Sequence, residues 1–239
     1  IYSLTPATHK AIVLFIECTN MGPLPITAPQ FDDHEIETLR SCLASGWVTQ
    51  GPMTSQFERL FASRHLLQYA LATTSCTAAL HLSTLALQLQ PGDEVVVPAF
   101  TWVTSAHSAE YVGARAVFAD VDLSTFNLDP AALEAAITPR TRAIVVVHLF
   151  GKAAPMDEIM AIARRHNLAV IEDAACAVGT TYQGRPIGAI GDLGCFSFHP
   201  RKVITTGEGG MVTTNRKDLA DRVKSLRNHG ATGPAFGAD

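Results

Sequence analysis

The sequence has no long run of lysine or arginine, and its formal net charge is −4. That absence excludes the electrostatic footprint of a nucleic-acid-binding protein. Long apolar runs are missing too. The nearest candidate, residues 11–16 behind Lys10, is six residues long and stops at Glu17. It is too short for the apolar region of a signal peptide and far too short to span a bilayer. The five cysteines (Cys18, Cys42, Cys76, Cys176 and Cys195) are odd in number and include no C-x-x-C pair. This argues against a disulfide framework or a zinc site and for reduced thiols in a cytoplasm. Nine histidines show no H-E-x-x-H or comparable spacing, so no metal is expected. Internal repeats and low-complexity tracts are also lacking.

What is present is a chain of 239 residues, 47% hydrophobic and 17% charged, long enough for a buried core in one or two globular domains. Residues 1–24 lack clear periodicity and read as a poorly ordered leader. Residues 25–239 read as an N-terminal segment and one large domain. Asp32 or Asp33 can cap a helix through about Ala44, with Ile36, Leu39 and Leu43 at helical spacing. The stretch S-G-W-V-T-Q-G-P (45–52) breaks it, and serves equally as a connecting loop or a pocket rim. Strands are expected at 69–73, 94–97, 114–119, 143–148, 168–172, 195–198 and 211–214. Helices are expected over 77–89, 104–111, 130–137, 156–166 and 217–228. Continuous Val/Ile/Ala strands between helices predict an α/β fold, a mostly parallel sheet flanked by helices. Ligands of such sheets gather at the carboxyl ends of the strands.

The chemistry-bearing residues stand at those ends. Lys202 follows the strand that closes with Ser197, and Gly207-Glu208-Gly209-Gly210 follows Lys202. Alone, an exposed loop lysine is the commoner fate, because an unpaired buried ammonium is costly. Kept inside, with its pKa lowered, the amine becomes a nucleophile able to form a Schiff base. The glycines are expected to supply backbone with positive φ. Thr74-Ser75-Cys76-Thr77-Ala78 leads from a strand into a helix start, either an anion site or an ordinary cap by Ser75 or Thr77. Trp102 is either core packing or an aromatic plate against a flat heterocycle. Glu172 and Asp173 end an apolar strand, and one of them can face solvent. A carboxylate aimed inward needs a cationic partner, such as a protonated pyridine nitrogen. Phosphate, flat ring, ring nitrogen and aldehyde together describe pyridoxal 5′-phosphate (PLP).

From about Leu24 to Gly230 the chain resembles the DegT/DnrJ/StrS family of sugar aminotransferases, within fold type I of the PLP enzymes. The matching segments, in order, are S-G-W-V-T-Q-G-P, S-C-T-A-A-L-H, P-G-D-E-V-V-V-P-A-F-T-W-V, T-R-A-I-V-V-V-H-L-F-G, E-D-A-A and F-S-F-H-P-R-K followed by G-E-G-G. The resemblance implies that Lys202 carries the cofactor as a Schiff base, and that Asp173 holds the pyridinium proton. Trp102 would cover the ring, Thr77 and Ala78 would give backbone N–H groups to the phosphate, and Ser197 would add a hydroxyl. Two positions depart from the family pattern. Cys176 stands where glutamine or histidine usually contacts the ring's phenolic oxygen, and a thiol is the weaker donor. Cys76 replaces a frequent glycine and crowds the phosphate loop.

The implied reaction is a ping-pong transamination between an amino acid, glutamate in most of the family, and a nucleotide-linked keto-deoxysugar. Its products serve cell-surface polysaccharide or secondary metabolism. One rival, a PLP-dependent keto-sugar dehydratase, resembles relatives with histidine in place of the lysine. The other is a catalytically silent regulatory or assembly homologue. Family members are longer and carry a smaller C-terminal domain, so the resemblance implies that this domain is missing here. It also places Arg227-Asn228-His229-Gly230 near a homodimer interface.

Overall fold

The computed structural model describes residues 27–231. The leader expected at 1–24 lies outside the described residues. Helix α1 (Asp33–Ala44) opens with a capping box, in which Asp32 accepts from the His34 amide and Glu35 reaches back to the Asp32 amide. It buries none of its residues. Helix α2 (Pro52–Arg64) was not expected from the sequence. Pro52 sits at its first helical position, where a missing N–H costs nothing, so this proline opens a helix as well as ending a loop.

The alternation then follows: β1 (Tyr69–Thr73), α3 (Cys76–Ala86), β2 (Glu94–Pro98), α4 (Thr104–Glu110), β3 (Arg115–Ala119), α5 (Pro130–Ala136), β4 (Thr141–Val147), α6 (Met156–His166) and β5 (Ala169–Asp173). A two-residue hairpin, β6 (Thr181–Tyr182) and β7 (Arg185–Pro186), precedes β8 (Leu193–Ser197), β9 (Gly210–Thr214) and α7 (Lys217–Leu226). Helix α3 stops short of the expected Leu89, because Gln88 adopts a φ of 58° that a helix cannot continue.

The seven main strands form one sheet in the order β1-β9-β8-β5-β4-β2-β3. Pairing is parallel from β8 through β5, β4 and β2 to β3, and β9 runs antiparallel to both neighbours. The reason is local. Most connections pass through a helix and return parallel, whereas β8 reaches β9 directly through residues 198–209. That direct return carries Lys202 over the carboxyl end of β8, one strand away from the end of β5.

Both faces are covered, and strand residues alternate between them. Ile144 and Val146 of β4 pack with Phe61, Met156, Ile159 and Phe196 on one face. Ala143 and Val145 pack with Leu80, Ala106 and Val223 on the other. At the edge strand β1, Glu58 accepts from the Ala72 amide and Arg227 donates to the Ala72 carbonyl, while the two side chains pair with each other. This ion pair occupies the hydrogen-bonding groups that an exposed edge would offer to another strand.

Candidate active site

Four of the residues singled out in the sequence, Lys202, Asp173, Trp102 and Cys176, line one cavity of about 310 Å³. Lys202 is half-buried, and its Nζ donates to Cys176 Sγ at 3.1 Å. The amine is therefore turned into the site and not into bulk water. Trp102 is 76% exposed, which excludes core packing. With Phe100 and Phe150 it forms an aromatic mouth to the cavity.

Asp173 is buried, with Oδ2 accepting from Ser105 Oγ at 2.7 Å and Oδ1 from the Ala175 amide at 3.2 Å. A carboxylate has about four acceptor positions, so capacity remains on the cavity side. Burial raises its pKa, and the bonds from Ser105 and Ala175 act against that rise.

Glu172, one residue earlier, is wholly buried on the opposite face. Neither carboxylate faces solvent, contrary to the sequence expectation for one of them. Its Oε1 accepts from the Ile190 and Gly191 amides, and its Oε2 from Gly188 N and His148 Nε2. Burial works to raise its pKa, but the bond from His148 and those amides prevail and leave it below the ordinary value. The Ala154 amide donates to His148 Nδ1, which fixes the proton of this imidazole on Nε2.

Ser197, Thr77 and Ala78 do not line that cavity, but they flank its strand ends. Ser197 closes β8 and pairs with Gly210, which pairs on its other side with Thr73 of β1. A Cβ at Gly210 would stand 2.4 Å from the Ser75 carbonyl carbon and 2.7 Å from Cys76 N. Glycine there lets the turn into α3 cross directly over β9 beside Ser197. Thr77 and Ala78 occupy the first turn of α3, where Ser75 Oγ accepts from the Ala78 amide at 3.1 Å. The ordinary cap by Ser75 is thus formed, and the helix end keeps further amides without intrahelical partners. Burial, then the charge of Asp173, push the Cys76 thiol well up, and Lys202 acts against them. This first turn therefore lies within electrostatic reach of both.

The expected positive φ in G-E-G-G holds only for Gly207, at 81°. Gly210 is needed for space, whereas a Cβ at Gly209 would displace only the exposed Thr206 hydroxyl, 2.4 Å away. The stretch S-G-W-V-T-Q-G-P lines a second cavity of about 830 Å³ with Thr73, Thr74 and Glu208, so it is a pocket rim, although Lys202 and Asp173 are not in that pocket. Ser105 and His148 were missed as site residues. His148 carried a usable signal, following β4 as Asp173 closes β5. Ser105 carried none.

The family model for DegT/DnrJ/EryC1/StrS aminotransferases matches residues 29–237. The chain belongs to this family. Among curated relatives of this aminotransferase-family chain, GDP-perosamine synthase of Caulobacter vibrioides is 49% identical over 214 residues, 88% of this chain and 58% of that protein. Of solved structures, the aminotransferase from Psychrobacter cryohalolentis superposes with a TM-score of 0.83 at 42% identity, over 85% of this chain and 52% of that one. A GDP-4-keto-6-deoxymannose-3-dehydratase, solved with a trapped PLP-glutamate geminal diamine, gives 0.84 at 32% identity, over 88% and 56%. The chain thus spans a little over half the length of the relatives it matches, and its fold is that of the fold type I large domain. Among the described residues no helix is long and apolar enough to cross a membrane, and no cluster of three or more His, Cys, Asp or Glu could hold a metal ion.

Proposed function

We propose that this chain is the cofactor-bearing part of a PLP-dependent aminotransferase that moves an amino group from an amino acid, glutamate, onto a nucleotide-linked keto-deoxysugar. The observation that carries the reading is the sharing of one cavity by an amine and a buried carboxylate with spare acceptor capacity. The donor set fits PLP: an amine for its aldehyde, an acid for its ring nitrogen, an exposed indole for its ring face, and a helix start for its phosphate. PLP, when bound, supplies an electron sink for the substrate carbon.

The protein's own groups do the rest. Lys202 Nζ would hold the cofactor through its aldehyde and would be the base and acid that moves the substrate proton. Asp173 would use its free acceptor positions to hold the proton of the ring nitrogen. Trp102 would shield the ring face, and the first turn of α3 with Ser197 would neutralise the phosphate charge. Cys176, beside Nζ, offers the ring oxygen only a weak donor.

The nucleotide-linked substrate is supported by the family and by the relative named for GDP-perosamine. The dehydratase neighbour favours a second reading, keto-sugar dehydration. Lysine at 202 favours amination, because the dehydratases in the resemblance carry histidine there. The apolar residues Ile36, Leu39 and Leu43, exposed on α1, support a homodimer, and the four free cysteines among the described residues support a cytoplasmic setting.

The test is to mix the full chain with PLP and reduce with borohydride. A yellow adduct fixed at Lys202, and absent from Lys202→Ala, is expected. A wild-type chain giving no adduct would overturn the reading. Keto-sugars offered to the amine-loaded form then distinguish amination from dehydration by product.

A further inference from the structure

Asp173 is held in place by groups of its own. Ser105, in the first turn of α4, is completely buried. Its Oγ lies 2.7 Å from Asp173 Oδ2 and 2.9 Å from Thr101 Oγ1. A hydroxyl has one proton, and an ionised carboxylate can only accept. While Asp173 is ionised, Ser105 therefore donates to it and receives from Thr101, which lines the cavity wall. In that state the chain Thr101 to Ser105 to Asp173 runs in one direction. With the Ala175 amide on Oδ1, it takes one acceptor position on each oxygen and fixes the carboxylate plane.

We propose that Ser105, oriented by Thr101, is the positioning residue that aims the Asp173 carboxylate at the ring nitrogen of the bound cofactor. This rests on the PLP reading for its target, while the arrangement of the three side chains does not. The other ionisable groups around Asp173 are Lys202 from the β8–β9 connection, Cys176 in the same cavity, His148 at the end of β4, Cys76 of α3, Cys195 of β8 and the adjoining Glu172. None of them supplies a hydrogen bond to either oxygen of Asp173.

The test has two arms on the full chain. In the first, the Asp173 carboxyl carbon is titrated by NMR in cofactor-free protein. Ser105→Ala is expected to move the titration upward by about one pH unit, and Ser105→Thr, which keeps the hydroxyl, to restore it. In the second, Ser105→Ala is expected to weaken PLP binding about tenfold, with Ser105→Thr again close to wild type. Should Ser105→Ala fail to fold, Ser105→Cys, nearly isosteric but a weak donor, should give intermediate values in both arms. An unmoved titration overturns the assignment. So does a moved titration with unchanged PLP affinity. If wild type binds no PLP, the proposed function falls, and the titration alone judges whether Ser105 governs Asp173.

Discussion

At the carboxyl end of β5 the two faces of the sheet treat adjacent carboxylates differently. On the face covered by α2 and α6, Glu172 receives four hydrogen bonds from three amides and a histidine, and its acceptor positions are filled. One residue later, on the face covered by α3 and α4, Asp173 receives two. Both are buried, so burial alone does not distinguish them. What separates them is unused bonding capacity directed at a cavity. Here the carboxylate that the protein has fully satisfied ties the fold together, and the one with spare capacity faces the cavity.

The largest expected effect breaks the open side. Asp173→Asn should slow the amino-donor half-reaction on the order of a thousandfold, because an amide cannot keep the ring nitrogen protonated. Folding should suffer little, since Ser105 can reverse its hydroxyl to meet an amide and the Ala175 bond can remain. Next comes the filled side. Glu172→Gln must turn an NH₂ group toward two donors, either the Ile190 and Gly191 amides or Gly188 and His148. Unfolding free energy, read from urea titration, should fall by about 3 kcal/mol. PLP binding by the folded fraction should remain near wild type. The two substitutions, each neutralising one carboxylate, should thus separate activity from stability.

The pH dependence sharpens the same contrast. Glu172 has a pKa held below its ordinary 4.5, so its contribution is present above that value and is lost as acid protonates it in the folded state. Asp173 has a raised pKa, so the folded protein binds its proton more tightly than the unfolded chain. Stability attached to Asp173 therefore declines as pH rises from 3.8 through the folded value. Urea midpoints measured from pH 3 to 7 should show Glu172→Gln with a shallower loss toward acid. Asp173→Asn should lose the opposing decline and become relatively more stable toward neutral pH. Equal pH profiles for the two variants would remove the distinction.

The sequence was most legible where a residue's role depends on its place along a strand. Continuous apolar runs revealed the seven strands of the main sheet, and the residues just past their ends included Lys202, Asp173, Trp102 and Cys176, all of which reached one cavity. It was least legible where the role depends on a distant neighbour. Gly210 is glycine because the backbone of Ser75 and Cys76 crosses it, a contact between segments more than a hundred residues apart. Ser105 is an unremarked serine until the fold sets it against Asp173. Helix α2 hid behind Pro52, whose breaking and opening roles have the same letter. The hairpin at 181–186 has strands of two residues, too short for any alternation to register.

The smallest expected effect asks whether the distinction between filled and open capacity extends to apolar surface. Phe196 and Phe198 are buried among other rings, whereas Trp102 leaves most of its surface at the cavity mouth. Trp102→Ala should therefore change unfolding free energy by no more than about 0.5 kcal/mol. If the indole closes over the cofactor ring, the same change should weaken PLP affinity roughly three- to tenfold, the worth of one aromatic stacking contact. Only Trp47 and Trp102 are present, and Trp47 donates its indole N–H to the Gln50 carbonyl in the other cavity's rim. Quenching of tryptophan emission by PLP should then be largely lost in Trp102→Phe while Trp47 still emits. A large loss of stability in Trp102→Ala would place this aromatic with the filled side, and unaltered quenching in Trp102→Phe would remove it from the cofactor's face.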